Sequence, residues 1–177
     1  VWGALDPKSE GFQEAGNWTG VLFAVQAIGS ILWAMVLPMF KSVKVGYSLS
    51  LVLGAVGFIS TYFIHDQYLL FLSFILIGCA WAAMLAMPFA LLTNSLSGKS
   101  MGSYLGLFNC TICLPQIVAA LVGGFLFKTF GGEKVELISN GVATEVQSGQ
   151  IMMLVIAGVS LLLAAVAVFG ISTRKAK

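Results

Sequence analysis

Residues 68–92 read YLLFLSFILIGCAWAAMLAMPFALL, a run without a single Asp, Glu, Lys, Arg or His. Coiled as a helix at 1.5 Å per residue, it covers the ~30 Å hydrocarbon core of a bilayer. Four further runs, at about 18–40, 46–64, 104–127 and 152–171, are equally free of charge and of similar length. The 177-residue chain is 9% charged and 59% apolar, with mean hydropathy +0.98. A water-soluble domain of that size needs more charge than this to cover its surface. The composition predicts an all-α polytopic membrane helix bundle of five transmembrane helices, whose first partner is the lipid bilayer.

Charge placement predicts the orientation. Lys41 and Lys44 lie between the first two spans, Lys99 between the third and fourth, and Arg174, Lys175 and Lys177 after the fifth; no acid accompanies them. The opposite side holds Lys8, Lys128 and Lys134 with all seven acids, Asp6, Glu10, Glu14, Asp66, Glu133, Glu136 and Glu145. The positive-inside bias makes the first side cytoplasmic, so the amino-terminal end is expected outside and the carboxy-terminal end inside, in a plasma or inner membrane. No signal-peptide pattern opens the chain, which starts at Val1. It is expected to be the downstream piece of something longer.

Several motifs fail for stated reasons. Cys110 and Cys113 form a Cys-x-x-Cys inside the fourth span, and Cys79 lies in the third. A zinc site needs four ligands, and the one histidine, His65, is elsewhere. Buried thiols of this kind pack as small apolar groups, and no metal is expected. Gly98-Lys99-Ser100 has the ending of a phosphate loop, but Thr93 stands where that loop needs its first Gly. Asn17-Trp18-Thr19 fits a glycosylation acceptor but abuts the membrane, and Asn109-Cys110-Thr111 lies within a span. His65-Asp66 falls in a short outer turn and reads as solvated. No catalytic pair or basic nucleic-acid surface is present, so neither an enzyme nor a nucleic-acid binder is expected.

The five spans differ in their polar residues. Span two carries only hydroxyls and glycines among its apolar residues (Ser48, Ser50, Gly54, Gly57, Ser60, Thr61), and span five carries Ser160. Such helices could face lipid and line nothing. Spans one, three and four hold the amides, indoles and prolines: Gln26, Ser30, Trp33 and Pro38; Trp81 and Pro88; Asn109, Thr111, Pro115 and Gln116. An amide in hydrocarbon without a partner costs several kcal/mol, so these residues are expected to face an interior or a wet cavity. Gln26, Ser30 and Trp33 share one helical face, as do Asn109 and Gln116. Gly78, Ala82, Ala86 and Ala90 recur every fourth residue and predict a seam of close helix contact. Pro88 and Pro115 each remove a backbone donor and are expected to bend their helices. Each polar residue alone could be interhelical glue; confined to three spans, the set reads better as a lined pathway.

These residues also carry a resemblance. Val1-Trp2-Gly3-Ala4 followed by Glu14-Ala15-Gly16-Asn17-Trp18-Thr19-Gly20-Val21-Leu22-Phe23-Ala24-Val25, then residues 78–92, then Met101-Gly102-Ser103-Tyr104-Leu105-Gly106-Leu107-Phe108-Asn109 and Pro115-Gln116-Ile117, resemble sugar symporters of the major facilitator superfamily. The nearest group is the sucrose/maltose:cation symporters, within or beside the glycoside–pentoside–hexuronide transporters. The resemblance implies that the five spans correspond to helices eight to twelve of twelve. It implies that spans one, three and four help line the central cavity while two and five are peripheral. Lys41-Ser42-Val43-Lys44 is a thin version of the family's basic loop. No carboxylate lies within a span, so the coupling proton or Na+ is expected at residues of the missing amino-terminal half; no other cofactor is implied.

The reading is therefore part of a secondary transporter that moves a sugar, a disaccharide such as maltose or sucrose, by cation-coupled alternating access. A sugar offers hydroxyls to amides and an apolar ring face to an indole. Gln26, Trp81, Asn109 and Gln116 are the expected substrate contacts, with Ser30 and Trp33 lining the cavity. The alternative is a non-transporting five-span structural or assembly subunit, in which the polar residues are glue alone.

Overall fold

The computed structural model describes residues 10–95, 101–130, 134–139, 142–147 and 151–170. Five helices appear where the apolar runs predicted them: α1 (Glu10–Val36), α2 (Val43–Phe63), α3 (Leu70–Ser95), α4 (Met101–Phe130) and α5 (Ile151–Ala167). All five are long and apolar enough to cross a membrane. α1 begins two turns before its apolar run, because Glu, Gln and Ala continue a helix as readily in water as Leu does in lipid. Between α4 and α5 lies one antiparallel ribbon, β1 (Lys134–Ser139) with β2 (Val142–Gln147), in the register Lys134↔Gln147 to Ser139↔Val142. It lies outside the apolar spans, which are helical over nearly all of their described residues.

Helix ends follow local chemistry. Pro38 cannot donate to the α1 ladder, and the chain tightens into a 3-10 turn, Leu37–Met39, closed by the Phe40 N–H on the Leu37 carbonyl at 3.3 Å. Ser42 is extended and its carbonyl accepts the Gly46 N–H at 3.0 Å, starting α2. At the other end of α2, Asp66 starts α3. Its carboxylate accepts the N–H groups of Tyr68 (2.8 Å) and Leu69 (3.1 Å), a negative charge on orphan donors at a helix N-terminus.

α2 is the centre of the bundle, with α3 on one side and α5 on the other; α1 packs on α3, and α4 leans on α5. This corrects the expectation that span two could face lipid. Gly46, Ser48, Ser50, Leu51, Gly54, Ala55, Gly57 and Thr61 of α2 are all buried. A side chain at Gly54 would run into the Ala80 methyl, and one at Gly57 would come within 2.7 Å of the Ser73 carbonyl oxygen. The glycines and hydroxyls of span two thus serve contact with neighbouring helices. In lipid, where apolar side chains gain little by meeting each other, close backbone approach is what holds helices together.

The seam on α3 also differs from its expected course. Gly78 and Ala82 are buried, but Ala86 is exposed, while Ala80 and Ala83 are wholly covered. Residues four apart advance 400°, so a row of fours drifts 40° per step and is 120° off after three. The contact face instead mixes steps of three and four, from Ser73 through Ile77, Ala80 and Ala83 to Met87.

Candidate functional site

The structure divides the six candidate residues by whether their hydrogen-bonding groups are already used. Ser30 Oγ donates to the Gly78 carbonyl at 2.9 Å and to the Gln26 carbonyl at 3.0 Å, sharing one proton between α3 and its own helix. Trp33 Nε1 donates to Ser50 Oγ at 2.8 Å, and Ser50 passes its proton to the Gly46 carbonyl at 2.7 Å. The Trp33 ring packs on the buried cluster of Leu37, Ala82, Ala83 and Met87. Both residues tie helices together, Ser30 joining α1 to α3 and Trp33 joining α1 to α2. Two further bonds of this kind went unsignalled in the sequence: Ser60 Oγ with Ser73 Oγ at 2.8 Å, and Ser48 Oγ on the Ala165 carbonyl at 3.0 Å.

The remaining four are in the opposite condition. The side-chain amides of Gln26, Asn109 and Gln116 and the indole N–H of Trp81 make no hydrogen bond among the described residues. Gln26 is half-buried at the α1–α3 contact, and Trp81 is 51% exposed on α3. Asn109 and Gln116 are exposed on α4, no described side chain of which is buried. Gln26 and Trp81 come from packed neighbours, α1 and α3. The two amides of α4 are not bonded to them, since α4 has α5 as its neighbour. Pro88 and Pro115 lie inside uninterrupted α3 and α4.

The α1–α3 pair has a second feature at its Asp66 end. Trp18 meets Tyr68 edge-on with centroids 5.7 Å apart and Phe71 at 5.8 Å, and Phe23 meets Phe74 edge-on at 6.1 Å. Edge-to-face pairs at these separations add ~0.5–1.5 kcal/mol each beyond area burial. His65 Nδ1 lies 3.1 Å from the Phe63 carbonyl and the residue is exposed, as expected of a solvated turn. Among the described residues, no three of His, Cys, Asp and Glu are grouped to hold a metal. Cys79 is buried, while Cys110 and Cys113 are exposed on α4 rather than packed. Asp6, Lys8, Lys99, Glu133, Arg174, Lys175 and Lys177, on which much of the orientation rests, lie outside the described residues.

Five helices long and apolar enough to cross a membrane, four of them joined by close glycine contacts or serine bonds, define a polytopic membrane protein. The sequence pattern of the Major Facilitator Superfamily matches residues 7–177, and the chain belongs to that family of membrane transporters. Comparison with curated proteins and with solved structures returns no match.

Proposed function

We propose that the protein moves a sugar, a disaccharide such as maltose or sucrose, by cation-coupled alternating access. On the resemblance to sucrose/maltose:cation symporters, the five helices correspond to helices eight to twelve, and the partner is the amino-terminal half of the same transporter. The halves rock about a midplane site. The coupling proton or Na+ binds in that other half, since α1 to α5 carry no acid within their apolar runs. The bias of basic residues puts the amino-terminal end outside and the carboxy-terminal end in the cytoplasm of a plasma or inner membrane.

One observation carries the reading. The hydroxyls of Ser30, Ser48, Ser50, Ser60 and Ser73 and the N–H of Trp33 are spent within the bundle, while Gln26, Trp81, Asn109 and Gln116 keep theirs unspent. Unpaired amides facing hydrocarbon cost several kcal/mol each, so these four require polar company from outside the five helices. A pyranose supplies it, with hydroxyls that both donate to and accept from an amide and a flat C–H face for an indole. The test is uptake of labelled maltose and sucrose by the intact transporter in proteoliposomes. Trp81→Ala and Gln116→Ala are each expected to weaken apparent sugar affinity about ten-fold, the effect of ~1.4 kcal/mol. Trp81→Phe should keep part of it. Normal folded protein with unchanged affinity in both alanine variants removes these residues from the site.

A further inference from the structure

Gln26 and Trp81 stand on different helices, and their spacing is only as fixed as the contact between α1 and α3. That contact is unusually close at one place. A Cβ on Gly29 would lie 3.0 Å from both the Cα and the carbonyl oxygen of Ile75. A Cβ on Gly78 would run into the Gln26 carbonyl oxygen and lie 3.0 Å from the Ser30 nitrogen. The two backbones therefore touch over Gln26–Ser30 and Ile75–Gly78. The shared proton of Ser30 then locks them, bonding the Gly78 carbonyl on one helix and the Gln26 carbonyl on the other. Further along the same seam Phe23 meets Phe74. Ser30 and Trp81 each follow these rings by seven residues, so each returns to nearly the same face of its helix. Gln26 thus lies at this locked crossing through its carbonyl, and Trp81 stands three residues beyond Gly78 on α3.

We propose that Gly78 and Ser30 are positioning residues of the transport site. They hold the Gln26 amide and the Trp81 indole in one fixed relation across the crossing, so that this part of the sugar contact is built before the sugar arrives. The proposal rests on Gln26 and Trp81 being sugar contacts, as read above. Gly78 acts by having no side chain: any other residue lifts α3 off the Gln26 carbonyl. Ser30 acts through a hydroxyl whose only proton is already committed to two carbonyls, leaving none to donate to a sugar. A preformed contact raises affinity because its ordering cost is met during folding rather than on binding.

The experiment uses the intact transporter in proteoliposomes with labelled maltose, reporting KM, the maximal rate per folded transporter and the amount folded. Gly78→Ala is expected to raise KM at least about ten-fold while the rate per folded transporter changes less than about two-fold. Ser30→Ala is expected to raise KM about three-fold, matching a lost interhelical bond of ~0.6 kcal/mol, and Ser30→Thr to restore it by keeping the hydroxyl. Should Gly78→Ala leave no folded protein, the comparison of Ser30→Ala with Ser30→Thr decides. Wild-type KM in Gly78→Ala and Ser30→Ala, with KM raised in Gln26→Ala and Trp81→Ala, overturns the positioning role and leaves the sugar site standing. Wild-type KM in all four overturns both.

Discussion

The bond from Trp33 to Ser50 offers a sharp energetic test of how α1 is attached to α2. Ser50 is fully covered, accepts the indole N–H at 2.8 Å and donates to Gly46 at 2.7 Å. Ser50→Ala keeps the Cβ but strands the indole N–H inside the bundle. A buried donor left without a partner costs ~1–3 kcal/mol, whereas an average interhelical bond in a membrane is worth only ~0.6 kcal/mol. The stranded donor dominates, and Ser50→Ala should destabilise by ~1.5 kcal/mol. Trp33→Phe removes the N–H and leaves an aromatic ring on Leu37, Ala82, Ala83 and Met87. In that background Ser50→Ala has no donor to strand, and its cost should fall by ~1 kcal/mol. Reversible denaturation of the intact transporter in mixed detergent–SDS micelles, across the four members of the cycle, measures the difference. Additivity within ~0.3 kcal/mol would falsify the bond as a clasp and leave Trp33 held by packing alone.

Two further outcomes are expected. Gly54→Val drives two methyls toward Ala80 at the α2–α3 contact and should abolish folded protein in detergent extracts; Ala80→Gly in the same chain should recover part of it, and equal yields with and without that change refute the contact. For orientation, a cysteine at Ser139 should react with an impermeant thiol reagent added outside intact cells, in a cysteine-free background, while one at Thr173 should not; the reverse pattern inverts the topology.

The five spans were legible because hydrocarbon imposes one blunt demand, about twenty uncharged residues at a time. The role of α2 was hidden because a serine in a span has two ways to satisfy itself. Ser160 bonds back to Ile156 in its own helix, whereas Ser48 crosses to Ala165, and the residue type is the same. The same ambiguity separates Thr111, bonded to Phe108, from Ser60, which also reaches Ser73. The ribbon between α4 and α5 had a signal that went unread: Asn140-Gly141 between two runs with alternating apolar residues is a strong hairpin dipeptide. The separateness of α4 had none, because its mean hydropathy of 2.0 lies within the range of the other spans and says nothing of what it touches.

The bond between Ser48 and Ala165 joins residues 117 apart in sequence. A ribosome adding ~5–20 residues per second delivers α5 roughly ten seconds after α2. During that interval α2, the least hydrophobic of the five spans at a mean of 1.6, lies in the membrane with one flank unfinished. α5, the most hydrophobic at 2.8, arrives after the other four and closes it. Biosynthesis of this bundle therefore contains an enforced wait, and the membrane-insertion machinery or the lipid must shelter the α2 flank until α5 emerges. A message cut short before residue 151 yields a chain whose central helix lacks its α5 contact and the Ser48–Ala165 bond.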